Sequence, residues 1–129
     1  MNLHDKRDAY QAAHDIARIY KALSHPARIV MLHCLTQQEA CVCHLTALLG
    51  RPQPYVSQQL GILRDAGLVT DRRDGQMIYY HAADPSVAAM ITEAVVLLRR
   101  RGKTVELPPA RNGDTLPGCP CPQCQTVSL

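Results

Sequence analysis

The run Gln53-Pro54-Tyr55-Val56-Ser57-Gln58-Gln59-Leu60-Gly61-Ile62-Leu63-Arg64-Asp65-Ala66-Gly67 decides the fold, together with the two short runs that follow it, Leu68-Val69-Thr70-Asp71-Arg72-Arg73 and Gln76-Met77-Ile78-Tyr79-Tyr80-His81. In the first, Val56, Leu60 and Leu63 recur at spacings of four and three, which predicts an amphipathic helix from Gln53 to Ala66. Pro54 stands near its start, and Gly67 ends it. The two short runs are β-forming and flank Asp74-Gly75, which predicts a hairpin closed by a type I′ turn with positive φ at both central residues. Just upstream, a short helix from about Cys41 to Leu49 is stopped by Gly50 and Pro52. Two helices across the Gly50-Arg51-Pro52 break are the elements of a helix-turn-helix. A hairpin directly after one makes it a winged helix.

Further upstream, Tyr10, Ala13, Ile16, Ala17, Tyr20 and Leu23 predict an amphipathic helix from Asp5 to about Tyr20. Ser24 offers an N-cap and Pro26 a first-turn proline for a second helix reaching about Gln37. Downstream, Asp84 caps a fifth helix from about Pro85 to Arg101. The predicted class is mainly α with a small β-hairpin wing, in the order α-α-α-α-β-β-α. Residues 1–103 are expected to form a body for DNA binding and dimerisation. Residues 104–129, rich in Pro and Cys, form a tail without regular structure unless something ties it down.

The chain has 129 residues, 47% of them apolar, but neither Phe nor Trp, so its core must be built from aliphatic side chains and some Tyr. One small domain is expected, and a subunit of this size gains from dimerisation. No apolar run is long enough to span a membrane, and the N-terminus lacks an apolar leader, so a cytoplasmic protein is expected. The net charge of +3 permits nucleic-acid binding without arguing for it. No phosphate-cradling glycine loop, nucleophile elbow or carboxylate pair stands out, so an enzyme is not expected. A reducing compartment disfavours a disulfide framework for the six cysteines, which leaves metal or thiol chemistry.

Five of them fall in two groups, Cys41-Val42-Cys43 and Cys119-Pro120-Cys121-Pro122-Gln123-Cys124, while Cys34 lies within apolar helix sequence and reads as core. A Pro-rich tail is expected to bury nothing, so packing is a poor explanation for its thiols. Thiolates are soft ligands suited to As(III), Sb(III), Cd(II), Pb(II) or Zn(II). Three would suit As(III) or Sb(III), four Cd(II) or Zn(II), and Pb(II) either number. Residues i and i+2 of a helix diverge by about 200°, so Cys41 and Cys43 must sit at the N-terminal edge of their helix or distort it on sharing an ion. His44 reads as an ordinary surface histidine. The nucleic-acid face is expected at Gln53, Tyr55, Ser57 and Gln58, where the second helix of the motif enters the major groove. Arg72, Arg73 and Gln76 on the wing are expected along the DNA backbone or the neighbouring minor groove, and Arg51 at a phosphate.

Lys21-Ala22-Leu23-Ser24-His25-Pro26-Ala27-Arg28, Cys41-Val42-Cys43, and Val56-Ser57-Gln58-Gln59-Leu60 leading into Ala66-Gly67-Leu68-Val69 resemble the ArsR/SmtB family of metal-responsive repressors. The likeness covers roughly residues 15 to 100. It implies a homodimer joined by the first and last helices, bound to operator DNA and released by an inducer. The C-x-C likeness favours As(III) or Sb(III) over Cd(II), Pb(II) or Zn(II). The chain also departs from the family pattern. Thr46 stands where the arsenic-responsive members carry a third Cys, and His44 where Asp is usual. The last helix carries Asp84 and Glu93 but no His, which argues against a zinc site there. The missing ligand is expected from the tail, of the same subunit or of its partner. A thiol-redox-sensing repressor and a metal-buffering protein are the alternatives.

Overall fold

The computed structural model describes residues 3–109 together with Cys119 and Cys121. The elements are α1 (Leu3–Leu23), α2 (Pro26–Gln37), β1 (Ala40–Cys41), α3 (Val42–Leu49), α4 (Gln53–Asp65), β2 (Val69–Asp74), β3 (Met77–Ala82) and α5 (Pro85–Arg100). The four helices, the hairpin and the last helix appear in the expected order. The architecture is a winged helix-turn-helix. The added element is β1, whose two residues are too few for any periodicity to reveal. It pairs antiparallel with β3, so the sheet runs β1-β3-β2 with β3 in the middle.

The core forms where α2 lies under the helix-turn-helix. Met31, Leu32 and Leu35 of α2 meet Leu45 of α3, Val56, Leu60 and Leu63 of α4, and Val87 and Ile91 of α5, all buried. Cys34 is completely buried among them, as its apolar setting predicts. Aliphatic side chains thus do fill the core.

Local chemistry corrects two expectations. The N-cap of α2 is His25, not Ser24: its backbone is extended and its Nδ1 accepts the Ala27 N–H at 3.2 Å. The Ser24 hydroxyl turns back to the Lys21 carbonyl instead. The hairpin turn is also not type I′. Asp74 pairs with Met77 at the end of the ladder, so the two central residues are Gly75 and Gln76. Gly75 has φ +61°, and among the described residues no non-glycine has positive φ, so only the first central residue is left-handed, the signature of a type II′ turn. At the other end of the motif, Gly50 terminates α3 at φ +62°, its N–H bonding the Thr46 carbonyl. Asp84 caps α5 as expected, accepting the Ser86 N–H at 2.8 Å.

Outside this core, α1 is exposed along most of its length. Tyr10, Ile16 and Tyr20 on α1, and Leu97 on α5, are each more than half exposed. Between α1, α2 and α5 lies an apolar cavity of about 300 Å³, lined by Tyr20, Ile29, Met90, Ala94 and Leu98 and bordered by Val105 and Leu107.

Candidate functional site

Helix α4 presents Gln53, Ser57 and Gln58 to solvent, while Val56, Gln59, Leu60 and Leu63 face inward. Tyr55 is half-buried, packed against the core, with the Arg51 guanidinium 4.5 Å above its ring and the His25 ring 6.5 Å away. Tyr55 therefore serves the base of the helix as much as its outer face. Sequence reasoning left Gln59 off the polar face, and the structure gives the reason: its Oε1 accepts from Arg28 at 2.8 Å.

On the wing, Arg73 and Gln76 are exposed. Arg72 is engaged by its own chain. Its Nη2 and Nε donate to the two Glu39 carboxylate oxygens at 2.7 and 3.2 Å, Asp74 lies 3.7 Å from its Nη1, and its guanidinium stands 4.9 Å from the centre of the Tyr79 ring.

The thiols converge. Strand β1 ends at Cys41, whose extended backbone (φ −84°, ψ 168°) makes it the N-cap of α3, and Cys43 follows in the first helical turn. The pair thus occupies the N-terminal edge of the helix, which spares it the divergence of i and i+2 positions inside a helix. The tail brings Cys119 to them, and the Sγ atoms of Cys41, Cys43 and Cys119 all lie within 4.8 Å of one another. Cys43 Sγ touches both of the other sulfurs. A sulfur completes only one disulfide, so three mutually adjacent thiols are better described as a donor set than as a cross-link. Sulfurs this close can reach one shared ion at the ~2.3 Å typical of thiolate bonds to zinc after small side-chain rotations, and the first turn of a helix favours negative charge beside it. The donor set fits a thiophilic ion.

Cys121 does not join that trio, although it is completely buried, which corrects the expectation that the tail buries nothing. Its Sγ and the Tyr79 Oη share a hydrogen bond across 3.2 Å. That bond, and burial after it, push the Tyr79 phenol up to about 12, so it stays protonated. Tyr79 itself went unread because its partner is 42 residues away in the chain. Cys124 lies outside the described residues. His44, expected at the surface, is 7% exposed in the first turn of α3. Among the described residues, no other group of three potential ligands comes together, and no helix is long and apolar enough to cross a membrane.

The family described as "Bacterial regulatory protein, arsR family" matches residues 25–71, which span α2 to the start of β2. The "Biofilm growth-associated repressor" of Agrobacterium fabrum is 43% identical over 79 residues, covering 61% of this chain and 68% of that protein. The chain belongs to the ArsR family. This ArsR-family chain is also similar to the crystal structure of the transcriptional repressor BigR from Xylella fastidiosa, with a TM-score of 0.60 and 31% identity over 78% of this chain and 99% of that one. A solution structure from Mycobacterium bovis, a homodimeric winged helix-turn-helix DNA-binding domain described as a possible ArsR-family transcriptional regulator, gives a TM-score of 0.68 at 28% identity, covering 75% of this chain and 90% of that one. ArsR/SmtB-family membership makes the chain a transcriptional repressor.

Proposed function

We propose that this repressor binds operator DNA as a homodimer and lets go when As(III) or Sb(III) is captured by Cys41, Cys43 and Cys119. The observation that carries the reading is the meeting of tail and helix edge, three sulfurs within 4.8 Å. Three thiolates match the trigonal preference of As(III) and Sb(III), and Pb(II) accepts the same number. Cd(II) or Zn(II) would call for a fourth, from Cys121 after it leaves Tyr79, or from Cys124. The body is residues 1–103, and the tail 104–129 supplies the third ligand. Because the pair begins α3, an ion that draws it toward the tail pulls on the first helix of the helix-turn-helix. Capture and release are then linked, and operator DNA must weaken the ion by the same factor.

DNA is read by Gln53, Tyr55, Ser57 and Gln58, with Arg51, Arg72, Arg73 and Gln76 toward phosphates. In a dimer the half-sites lie about 10 bp apart or a multiple of it. The exposed apolar side chains of α1 and α5 support pairing through those helices, as does the homodimeric relative. The contact between Cys43 and both neighbouring sulfurs favours, as a second reading, thiol oxidation as the trigger.

The test is a titration of the reduced protein on the duplex upstream of its own coding sequence with arsenite, antimonite, cadmium, lead and zinc, repeated with Cys41→Ser and Cys119→Ser. Arsenite or antimonite should release wild type at the lowest concentration, and each variant should hold on. Normal release of a Cys41→Ser/Cys119→Ser double variant refutes the thiolate switch. Release by mild oxidant alone, reversed by thiol, selects the second reading.

A further inference from the structure

Residue pairing across the sheet places Cys41 opposite Tyr79 on β1 and β3, and Tyr79 opposite Arg72 on β3 and β2. Directly opposed residues share a face of a sheet, so the three form one transverse row. It runs from the thiol site to the base of the wing. Its centre, Tyr79, is 2% exposed and touches both ends of the system: its hydroxyl bonds Cys121 of the tail at 3.2 Å, and its ring lies beneath the Arg72 guanidinium at 4.9 Å. The same guanidinium is clamped by Glu39, just before β1, through two hydrogen bonds. With the tail in place, the wing arginine is thus held against its own subunit by a ring and a carboxylate.

We propose that Tyr79 is the positioning residue that passes tail attachment to the wing: the Cys121 bond fixes the ring on which Arg72 rests, and so keeps Arg72 off DNA phosphate while the tail is docked. This rests on the reading that the thiols take an inducer and the wing meets DNA. It adds a second route to release, beside the pull on α3. A phosphate and the Glu39 carboxylate compete for one guanidinium fork, which favours two discrete positions over a continuum. The ring offers a cation a face worth holding only while it stays in place. Losing the hydroxyl frees the ring without removing it.

The test uses the full chain, wild type and Tyr79→Phe, on the duplex upstream of its own coding sequence, with arsenite as the probe. Ion uptake is read by thiolate-to-arsenic absorbance, and DNA affinity over a series of salt concentrations. In wild type, arsenite should lower the slope of log affinity against log salt by about 0.9 for each Arg72 withdrawn from a phosphate. Tyr79→Phe should take up arsenite with the same stoichiometry and bind DNA unloaded as wild type does. Its salt slope should not change on loading, and its release factor should fall by about tenfold, within the usual range of coupling between sites. Cys121→Ala removes the same bond from the tail side and should reproduce that pattern if Tyr79→Phe does not fold. Arg72→Ala should abolish the slope change in every background. A Tyr79→Phe protein that loads, releases DNA and shifts its slope like wild type overturns the role of Tyr79 alone. A wild type that takes up no arsenite, or takes it up without releasing DNA, overturns the proposed function and this inference with it.

Discussion

Arg28 ties three helices through one side chain. Its Nη1 donates to the buried Gln59 of α4 at 2.8 Å, its Nε donates to the Ala22 carbonyl and its Nη2 to the Lys21 carbonyl at the end of α1. Truncation to Ala leaves the Gln59 oxygen buried without that donor, and such a loss costs about 1–3 kcal/mol. Arg28→Ala should therefore lower the urea midpoint with an unchanged m-value, and Arg28→Lys should recover little, because an ammonium lacks the planar fork. The helical phase put Gln58 on the polar face and left Gln59 off it, and that much was legible. Arg28 as the partner, 31 positions away, was not. A second residue gives a pH signature. The Ser86 backbone N–H holds the Asp84 carboxyl below its ordinary value. A depressed folded value means the cap stabilises above the unfolded carboxylate range and fades as pH falls through the folded one. Asp84→Ala should thus melt earlier than wild type near neutrality by far-UV circular dichroism. The gap should close as pH drops below about 3.9, the unperturbed Asp value; a gap independent of pH would exclude the carboxylate as its source.

Among the elements, the hairpin shows where a sequence pattern stops short. Asp74-Gly75 announces a turn, but the same dipeptide fits two registers, and the choice is made by what each register does with the strands. With Gly75-Gln76 at the centre, Tyr79 lies opposite Arg72 and Cys41, and its ring turns inward. Only one positive φ is then needed, and glycine holds it. An L-residue in that region costs about 1–2 kcal/mol, so Gly75→Ala should destabilise by that amount in urea unfolding. Under a type I′ turn Asp74 would also need positive φ, and Asp74→Gly would then stabilise; with Asp74 inside the ladder it should be neutral or worse. A stabilised Asp74→Gly protein would restore the type I′ turn. Strand β1 had no signal of its own, because two residues carry no periodicity and their pairing with β3 is settled by tertiary context. The C-x-C motif did announce the thiol pair, and the helix geometry placed it at the edge of α3. That Cys119 rather than Cys121 would complete the trio depended on Tyr79.

At the scale of the molecule, the apolar surface is distributed unlike that of a finished monomer. The core takes one side of α2, α4 and α5, while α1 leaves Tyr10, Ile16 and Tyr20 uncovered and α5 leaves Leu97. Ile16 and Tyr20, four positions apart, lie on one stripe of α1, and a stripe of that kind on a helix packs against something. The cavity between α1, α2 and α5 is lined by apolar side chains and lies at the foot of this stripe. A second copy related by a twofold axis would cover both stripes at once, since an isologous interface uses the same patch on each subunit. Charges placed at its centre discriminate between pairing and simple exposure. Ile16 and Leu97 are 55% and 52% exposed, so Ile16→Glu and Leu97→Glu leave the core of one subunit intact. The double variant should keep its helical circular dichroism yet sediment as a monomer. It should also lose operator affinity by roughly a hundredfold, the lower end of what joining two binding modules contributes. Because Cys41, Cys43 and Cys119 meet within one chain, that monomer should still take up arsenite at one ion per chain. Uptake that vanished with the dimer would instead place the third thiolate on the partner subunit.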